Sequence, residues 1–298
     1  IREIIQDLKN RNNITGRTIQ VADKGLNCAN NILAARKNGD GYLFSKSVKM
    51  LPDTEKTWLL LENDYQNVLD KNGKLLYRLK ECVDEFPYTY TNEKRETVTI
   101  KLTEKRVVIF NPKLAKKKQY EINRMVEKAR ALKASQAKKN EFGECSKYVT
   151  FSPTDKKGNS MDGKVAVSLN SNAIEEDLKL AGYNLLVTSE TGMKAPEIYA
   201  AYHNLWRIEE SFKMMKSYLD ARPVFLQKTD SICGHFLICY LSVLLIRILQ
   251  FRVFENRYCT EKLIDFIKDF RVVEIQYNKY INITSSSAFI KNLSGELS

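Results

Sequence analysis

The segment 202–216 carries two patterns with the period of an α-helix. Tyr202, Glu209 and Lys216 are spaced seven residues apart. Seven residues make nearly two helical turns, so a single helix would place these three side chains on one face. A second, apolar set follows the spacing of a buried helix face. Its members are Leu205, Ile208, Phe212, Met215 and Leu219. The segment therefore predicts a helix that presents a phenol, a carboxylate and an ammonium beside its buried stripe, which suits a site for a metal and a phosphate.

The segment 18–25 predicts a strand that ends in a carboxylate. Ile19 and Val21 are β-branched, Asp23 follows the apolar run, and Gly25 favours a sharp turn before a helix predicted at 28–37. Ligands of open α/β sheets bind outside the carboxyl ends of strands, so Asp23 is well placed for chemistry. Taken alone, an Asp shortly before a Gly at a strand end also fits an ordinary turn.

The two motifs together resemble bacterial insertion-sequence transposases of the DDE class, IS-four type. The signature of that family runs Tyr, two residues, Arg, three residues, Glu, six residues, Lys. Tyr202, Glu209 and Lys216 match this spacing, whereas a leucine stands at the Arg position. The resemblance implies that Asp23 and Glu209 are catalytic and bind Mg²⁺ or Mn²⁺ in a two-metal site. It also implies that Tyr202, Lys213 and Lys216 contact DNA.

The first Asp of the family's catalytic triad has no counterpart in this sequence. Only 22 residues precede Asp23, and Asp7 falls in a segment, 1–8, whose apolar residues repeat with a helical period. We therefore expect the chain to be the C-terminal part of a longer, truncated transposase that does not cleave DNA alone. Cleavage of transposon-end DNA by this chain in Mg²⁺ or Mn²⁺, lost on Glu209→Gln, would contradict that expectation.

The resemblance implies an α/β fold, with a ribonuclease-H-like mixed sheet core that lacks its first strands, a β-rich insertion and a helical C-terminal region. Residues 1–50 and 165–258 would form the discontinuous catalytic core. Residues 51–164 would form the insertion subdomain with a basic helix, and 259–298 a C-terminal helix and tail.

Periodicity and β-branched content predict further elements along the chain. Strands are predicted at 41–45, 75–79, 97–102, 106–110, 165–169 and 183–188. Helices are predicted at 113–139, from residue 195 onward, and at 263–270. The apolar run 236–246 is too short to span a bilayer and predicts a buried helix.

The composition favours a polyanionic partner and a reducing compartment. The net charge is +12 and the pI is about 9.2. The six cysteines form no CxxC pair and no zinc-type spacing, and a secretory signal peptide is not visible. By resemblance, the partners are double-stranded DNA of transposon ends and target and a second copy of the chain, in the bacterial cytoplasm and away from membranes.

The predicted helix 113–139 contains ten basic and two acidic residues. It could track a DNA backbone through Lys116, Lys117, Lys118, Arg124, Lys128 and Arg130. It could equally be a solvated helix face. The main alternative for the whole chain is a catalytically dead transposase remnant that binds only DNA or a full-length relative, and a nuclease of the same core fold is a third possibility.

Overall fold

A computed structural model describes residues 2–92, 94–134, 139–153, 165–283 and 293. The chain has a mixed α/β architecture and divides into two compact units, Ile1–His203 and Asn204–Ser298. This division differs from the predicted domain boundaries after residues 50, 164 and 258. Strands on both sides of the first two predicted boundaries belong to one sheet, so they form one unit.

The first unit combines six helices and eight strands among its described residues. The helices are α1 (Arg2–Arg11), α2 (Ala29–Lys37), α3 (Asp53–Leu60), α4 (Pro112–Ala134), α5 (Ser171–Lys179) and α6 (Ala195–His203). The strands are β1 (Ile19–Ala22), β2 (Gly41–Lys46), β3 (Gln66–Leu69), β4 (Leu75–Thr91), β5 (Thr97–Phe110), β6 (Val149–Pro153), β7 (Val165–Leu169) and β8 (Tyr183–Thr188). A 3₁₀ segment, Lys139–Tyr148, lies between α4 and β6.

Six of these strands form one mixed sheet in the order β1-β2-β8-β5-β4-β3. β1 runs parallel to β2, and every other neighbouring pair is antiparallel. β6 and β7 form a separate antiparallel pair. Strand β2 is buried on both faces, because Tyr42 and Phe44 belong to a core cluster that includes α2 while Leu43 belongs to a second cluster that includes α6. This double burial accounts for its apolar run Tyr42–Phe44.

Most of the predicted elements are confirmed at the level of type and place. The strands at 41–45, 165–169 and 183–188 and the helices at 28–37 and 263–270 are present. The predicted strands 97–102 and 106–110 are instead one strand, β5, because β4 pairs with it along the whole of Thr97–Phe110. Helix α4 is described to Ala134, and positions 135–138 of the predicted helix lie outside the described residues.

A buried charged network lies where β5 crosses the centre of the sheet. Glu104, which is fully buried, accepts hydrogen bonds from the hydroxyls of Tyr42 at 2.9 Å and Tyr88 at 2.8 Å. It also accepts one from Arg106 Nε at 2.8 Å, and the guanidinium of Arg106 pairs with Glu55 on α3. Burial and the Glu104 carboxylate both raise the pKa of Tyr42, so its phenol stays a donor. The network therefore links β2, β4, β5 and α3 through the hydrogen bonds to Glu104 and the ion pair of Arg106 with Glu55, although Arg106 Nη1 and Nη2 are buried without a hydrogen bond to another described residue.

The second unit has three helices and one hairpin in its described part. They are α7 (Leu205–Ser217), α8 (Thr229–Ile248), α9 (Thr260–Asp269), β9 (Val272–Gln276) and β10 (Lys279–Asn282). Met214, Val243, Ile246 and Ile264 form a core cluster from the three helices. Positions 284–292 and 294–298 of the predicted tail lie outside the described residues.

The prediction that the apolar run 236–246 is a buried helix is wrong. Ile238 and Leu245 are each 67% exposed, and the helix continues as a π-helical turn to Val253. The whole segment Thr229–Val253 is long and apolar enough to cross a membrane by length and composition, with a mean hydropathy of 2.2 in its most apolar window. Only 17% of that window is buried. Length and apolar composition are by themselves weak evidence of a membrane span, because core helices of soluble proteins and signal sequences also have both.

We expect Glu104→Ala to lower the free energy of unfolding of the first unit by about 3–5 kcal/mol, because it leaves the buried Arg106 and two tyrosine hydroxyls without their acceptor. Urea unfolding measures the change. Glu85→Ala, on an exposed position of β4, is the matched control and should leave the midpoint unchanged. Equal midpoints for both variants would contradict a structural role for the network.

Candidate functional site

Asp23 lies at the carboxyl end of β1, as the sequence predicts. β1 ends at Ala22, and Asp23 caps the short 3₁₀ turn Lys24–Leu26 by accepting a hydrogen bond from the backbone N–H of Lys24. Its side chain is exposed. Because β1 and β2 are parallel, Asp23 and the residues after Lys46 lie at the same edge of the sheet.

Buried polar contacts hold β1 and α1 in place. The buried carboxylate of Asp40 accepts hydrogen bonds from Lys9 Nζ at 2.6 Å and from the backbone N–H and hydroxyl of Thr18 at 3.0 and 2.9 Å. Burial by itself would raise the pKa of Asp40, but the bonds from Lys9 and Thr18 outweigh it and leave that pKa below its ordinary value of 3.8. The ion pair between Arg17 and Glu190 joins the start of β1 to the end of β8.

The predicted single helix 202–216 is two helices in the structure. α6 ends at His203 and α7 begins at Leu205, with a turn at Asn204 between them. Asparagine is unfavourable inside helices, because its side chain can hydrogen-bond the backbone in non-helical conformations. Tyr202 is therefore on a different helix from Glu209, and the predicted column of three side chains on one helix face is wrong. Tyr202 is half-buried against the cluster of Leu43 and Ile198 in the first unit.

The predicted apolar stripe of α7 is only partly buried. Ile208 is 55% exposed and Phe212 is 57% exposed, whereas Met214, outside that stripe, is fully buried. Met214 packs with residues of α8 and α9, so the face of α7 that enters the core is rotated from the predicted one. The prediction that Phe212 packs in the core is wrong for the same reason.

Glu209 and Glu210 are adjacent in sequence but differ in their surroundings. Glu210 accepts hydrogen bonds from Arg247 Nη1 at 3.0 Å and from Thr260 Oγ1 at 2.7 Å, so it ties α7 to α8 and α9. Glu209 is exposed and forms no hydrogen bond or salt bridge with any residue of the described chain. Of the two carboxylates, Glu209 is the one left available to a ligand.

The two lysines singled out on α7 lie on the same side of that helix as Glu209. Lys213 follows Glu209 by four residues and Lys216 by seven, close to one and two turns. Lys213 is 61% exposed and lies 3.5 Å from Glu261, and Lys216 is exposed. Arg207 stacks over the ring of Phe251 at 5.3 Å, so it does not stand in for the Arg of the family signature, whose place is taken by Leu205.

Carboxylate oxygens are ligands that Mg²⁺ prefers, and the exposed carboxylates of Asp23 and Glu209 have that chemistry. No group of three or more His, Cys, Asp or Glu side chains that could hold a metal occurs within the described residues. Each of the two therefore fits a metal ligand as a single donor, without a preformed cluster in the described part of the chain.

Two basic residues at the edge where Asp23 lies were not predicted from the sequence. Lys24 follows Asp23 directly, and Lys46 is the last residue of β2. A lysine that ends an otherwise apolar strand is the one signal that could have pointed to Lys46.

Comparisons with known proteins do not assign the chain to a family. No protein-family model matches the sequence, and no curated protein matches it.

The Asp40 contacts predict an acid-dependent loss of stability. A carboxyl whose folded pKa is lowered contributes stability above its ordinary pKa, and that contribution is lost as the pH falls through the folded value. We expect Asp40→Asn to lower stability at neutral pH by about 1–3 kcal/mol, with the difference from the native protein shrinking below pH 3.8. Urea unfolding across this range measures it. Asp53→Asn, whose side chain is 100% exposed, is the control, and an equally pH-dependent effect there would contradict the assignment.

The adjacent glutamates of α7 give a matched pair of variants. We expect Glu210→Gln to destabilise the second unit by about 1–3 kcal/mol, because it weakens the charge-assisted hydrogen bond with Arg247 and the bond from Thr260. Glu209→Gln should leave the melting temperature unchanged, since that carboxylate is exposed. Thermal unfolding measures both variants, and a loss of stability with Glu209→Gln equal to that with Glu210→Gln would mean that Glu209 has a structural role.

Proposed function

We propose that this chain is a DDE-type transposase, of the class that catalyses DNA strand cleavage and strand transfer of an insertion sequence, with a ribonuclease-H-like sheet as its core, and that without the first catalytic Asp of that class it does not cleave DNA alone. The observation that carries the proposal is that both motif carboxylates are left available to a ligand, whereas three less exposed acids are not. Asp23 and Glu209 are exposed, and neither forms a salt bridge within the described chain. Asp40, Glu104 and Glu210 are committed to hydrogen bonds and ion pairs.

Asp23 and Glu209 would be the metal ligands in this proposal. A pair of Mg²⁺ ions supplies activation of the attacking oxygen and stabilisation of the departing 3′ oxygen in phosphodiester cleavage. Lys213 and Lys216 would contact backbone phosphates as point charges, because both are exposed beside Glu209 on α7. Tyr202 would contact the DNA backbone through its hydroxyl.

The partner would be double-stranded DNA of the transposon ends and the target, with two copies of the chain in the synaptic complex. The proposed setting is the bacterial cytoplasm. The net charge of +12 supports a polyanionic partner, because lysines and arginines that neutralise phosphates release condensed counterions.

A second candidate function is DNA binding without cleavage. It is favoured by the exposed lysines and arginines of α4 in the first unit, which need neither Asp23 nor Glu209 to hold a phosphate backbone. The two candidates differ in whether a divalent cation binds at these carboxylates.

Iron-directed cleavage tests the metal ligands without requiring catalysis. Fe²⁺ occupies oxygen-ligand sites of Mg²⁺, and with ascorbate and peroxide it cuts the polypeptide near the bound ion. We expect cuts near residues 23 and 209 that are suppressed by excess Mg²⁺. Asp23→Asn should abolish the first cut and Glu209→Gln the second, because each removes a ligand oxygen.

The controls for this experiment are Asp53→Asn in the first unit and Asp220→Asn in the second, both of exposed residues. Their cleavage patterns should match that of the native protein. Cuts that are absent, or that persist unchanged in both Asp23→Asn and Glu209→Gln, would rule out the proposed metal ligands and favour DNA binding alone.

A further inference from the structure

A cleft of about 480 Å³ lies on the first unit at the carboxyl ends of β1 and β2. The start of β8, the first half of α4, the end of the 3₁₀ segment and α5 complete its walls. Six lysines line it: Lys24, Lys46, Lys49, Lys117, Lys118 and Lys147. They come from segments spread over more than a hundred residues of sequence, so only the fold brings them together.

Two acidic side chains line the same cleft and neutralise part of this charge. Asp177 pairs with Lys49 and lies 3.8 Å from Lys147, and it also accepts a hydrogen bond from the hydroxyl of Tyr148 at 2.7 Å. The second acid is Glu121 on α4, which pairs with Lys118 one turn earlier on the same helix at 2.9 Å.

The remaining three lysines have no carboxylate partner. Lys24, Lys46 and Lys117 form no salt bridge with any residue that the structure describes. The cleft thus keeps an excess of positive charge that its own acids do not neutralise, and a polyanion is the class of ligand that would neutralise it.

Lys46 is the most enclosed of these three lysines. It is half-buried at the end of β2, and burial and the nearby charge of Arg106 lower its pKa, an effect that the carboxylates of Glu55 and Glu104 only partly offset. Its ammonium lies 5.7 Å from the ring centroid of Tyr88. An anion in the cleft would stabilise the charged form of this lysine.

The lining offers little for reading bases. Tyr183 is the aromatic residue that lines the cleft, and its ring packs against Phe110 with centroids 4.8 Å apart. A ligand would therefore be held by its phosphates, without stacking on an aromatic platform.

We propose that this lysine cleft binds the sugar–phosphate backbone of duplex DNA, one strand at a time and without sequence preference. The inference rests on the proposed function in taking DNA as the polyanion. The site itself rests on the six lysines, the unpaired charge of three of them and their position at the sheet edge beside Asp23. On α4, it assigns phosphate contact to Lys117 and Lys118 and not to Lys116 or Arg130.

Helix geometry supplies a matched control. Each residue advances about 100° around a helix, so Lys116 and Arg130 project from the side of α4 opposite the cleft. Both are exposed, and neither lines the cleft. The cleft double variant combines Lys117→Glu with Lys118→Glu. The control double variant combines Lys116→Glu with Arg130→Glu and changes the net charge by the same amount on the same helix.

The test is fluorescence anisotropy of a short labelled DNA duplex with the full chain, between about 50 and 200 mM salt. We expect the cleft double variant to bind at least about tenfold more weakly and to lose roughly two units of the slope of log affinity against log salt. The control double variant should keep the native slope. An equal loss in both would overturn the cleft as the binding site.

Asp177→Asn gives a change in the opposite direction. It removes an acidic charge from the cleft and keeps an oxygen that can accept from Tyr148, so affinity for the duplex should rise by roughly two- to threefold. A misfolded variant would bind more weakly, and unchanged affinity would contradict the proposal. Protection of Lys24 and Lys117, but not Lys116, from acylation by bound duplex provides a readout on the native chain.

Competing ligands and the metal experiment separate the possible failures. Tighter binding of duplex RNA, or displacement of DNA by stoichiometric tripolyphosphate, would overturn duplex DNA as the ligand. Cleft-dependent DNA binding without Fe²⁺ cuts near residues 23 and 209 would keep the cleft and refute the transposase. Fe²⁺ cuts near residues 23 and 209 without cleft-dependent DNA binding would refute the cleft and keep the transposase.

Discussion

The pairing of β5 with β8 is the constraint on which the first unit depends. From Lys105 to Phe110, β5 bonds to β8 on one side and to β4 on the other. This pairing joins the long β4–β5 hairpin to the sheet that carries β1 and Asp23. It also fixes the place of Glu104 and Arg106, whose buried charges are compensated by tyrosine hydroxyls on Glu104 and by ion pairs of Arg106 with Glu104 and Glu55. The sheet edge, the charged network and the lysine cleft all follow from it.

Single helices and strands could be predicted from the sequence, because the pattern of apolar residues in each depends only on whether one face or both faces of that element are buried. β2 and β8 are largely apolar because both of their faces are covered, and α2 and α9 keep the helical period. β5 was predicted as two strands, since Glu104 and Lys105 interrupt its apolar pattern as a turn would. Burial of a charged residue depends on partners from distant strands, which a local pattern does not contain.

The candidate site was predictable in part for the same reason. Asp23 ends a strand because an apolar run stops there, and the structure places it at that strand end. The break at Asn204 was not predictable from spacing, because the seven-residue repeat continues through it. The resemblance selects Glu209 as the candidate ligand by its spacing. The physical difference between it and its neighbour is visible only in the structure, where Glu210 is bonded to Arg247 and Thr260. The cleft lysines lie on elements far apart in sequence and have no common motif.

The topology of the sheet also sets an order of folding. Thr188 at the end of β8 donates a hydrogen bond to the backbone of Tyr42 in β2, 146 residues earlier. The β4–β5 hairpin closes over a short turn and can form early, whereas β8 completes the sheet only after most of the first unit has been synthesised. Contacts of such long range are slow to form, because the loop must close before they stabilise it. Until β8 pairs with them, the facing edges of β2 and β5 are unpaired, and unpaired strand edges are sites of aggregation during folding.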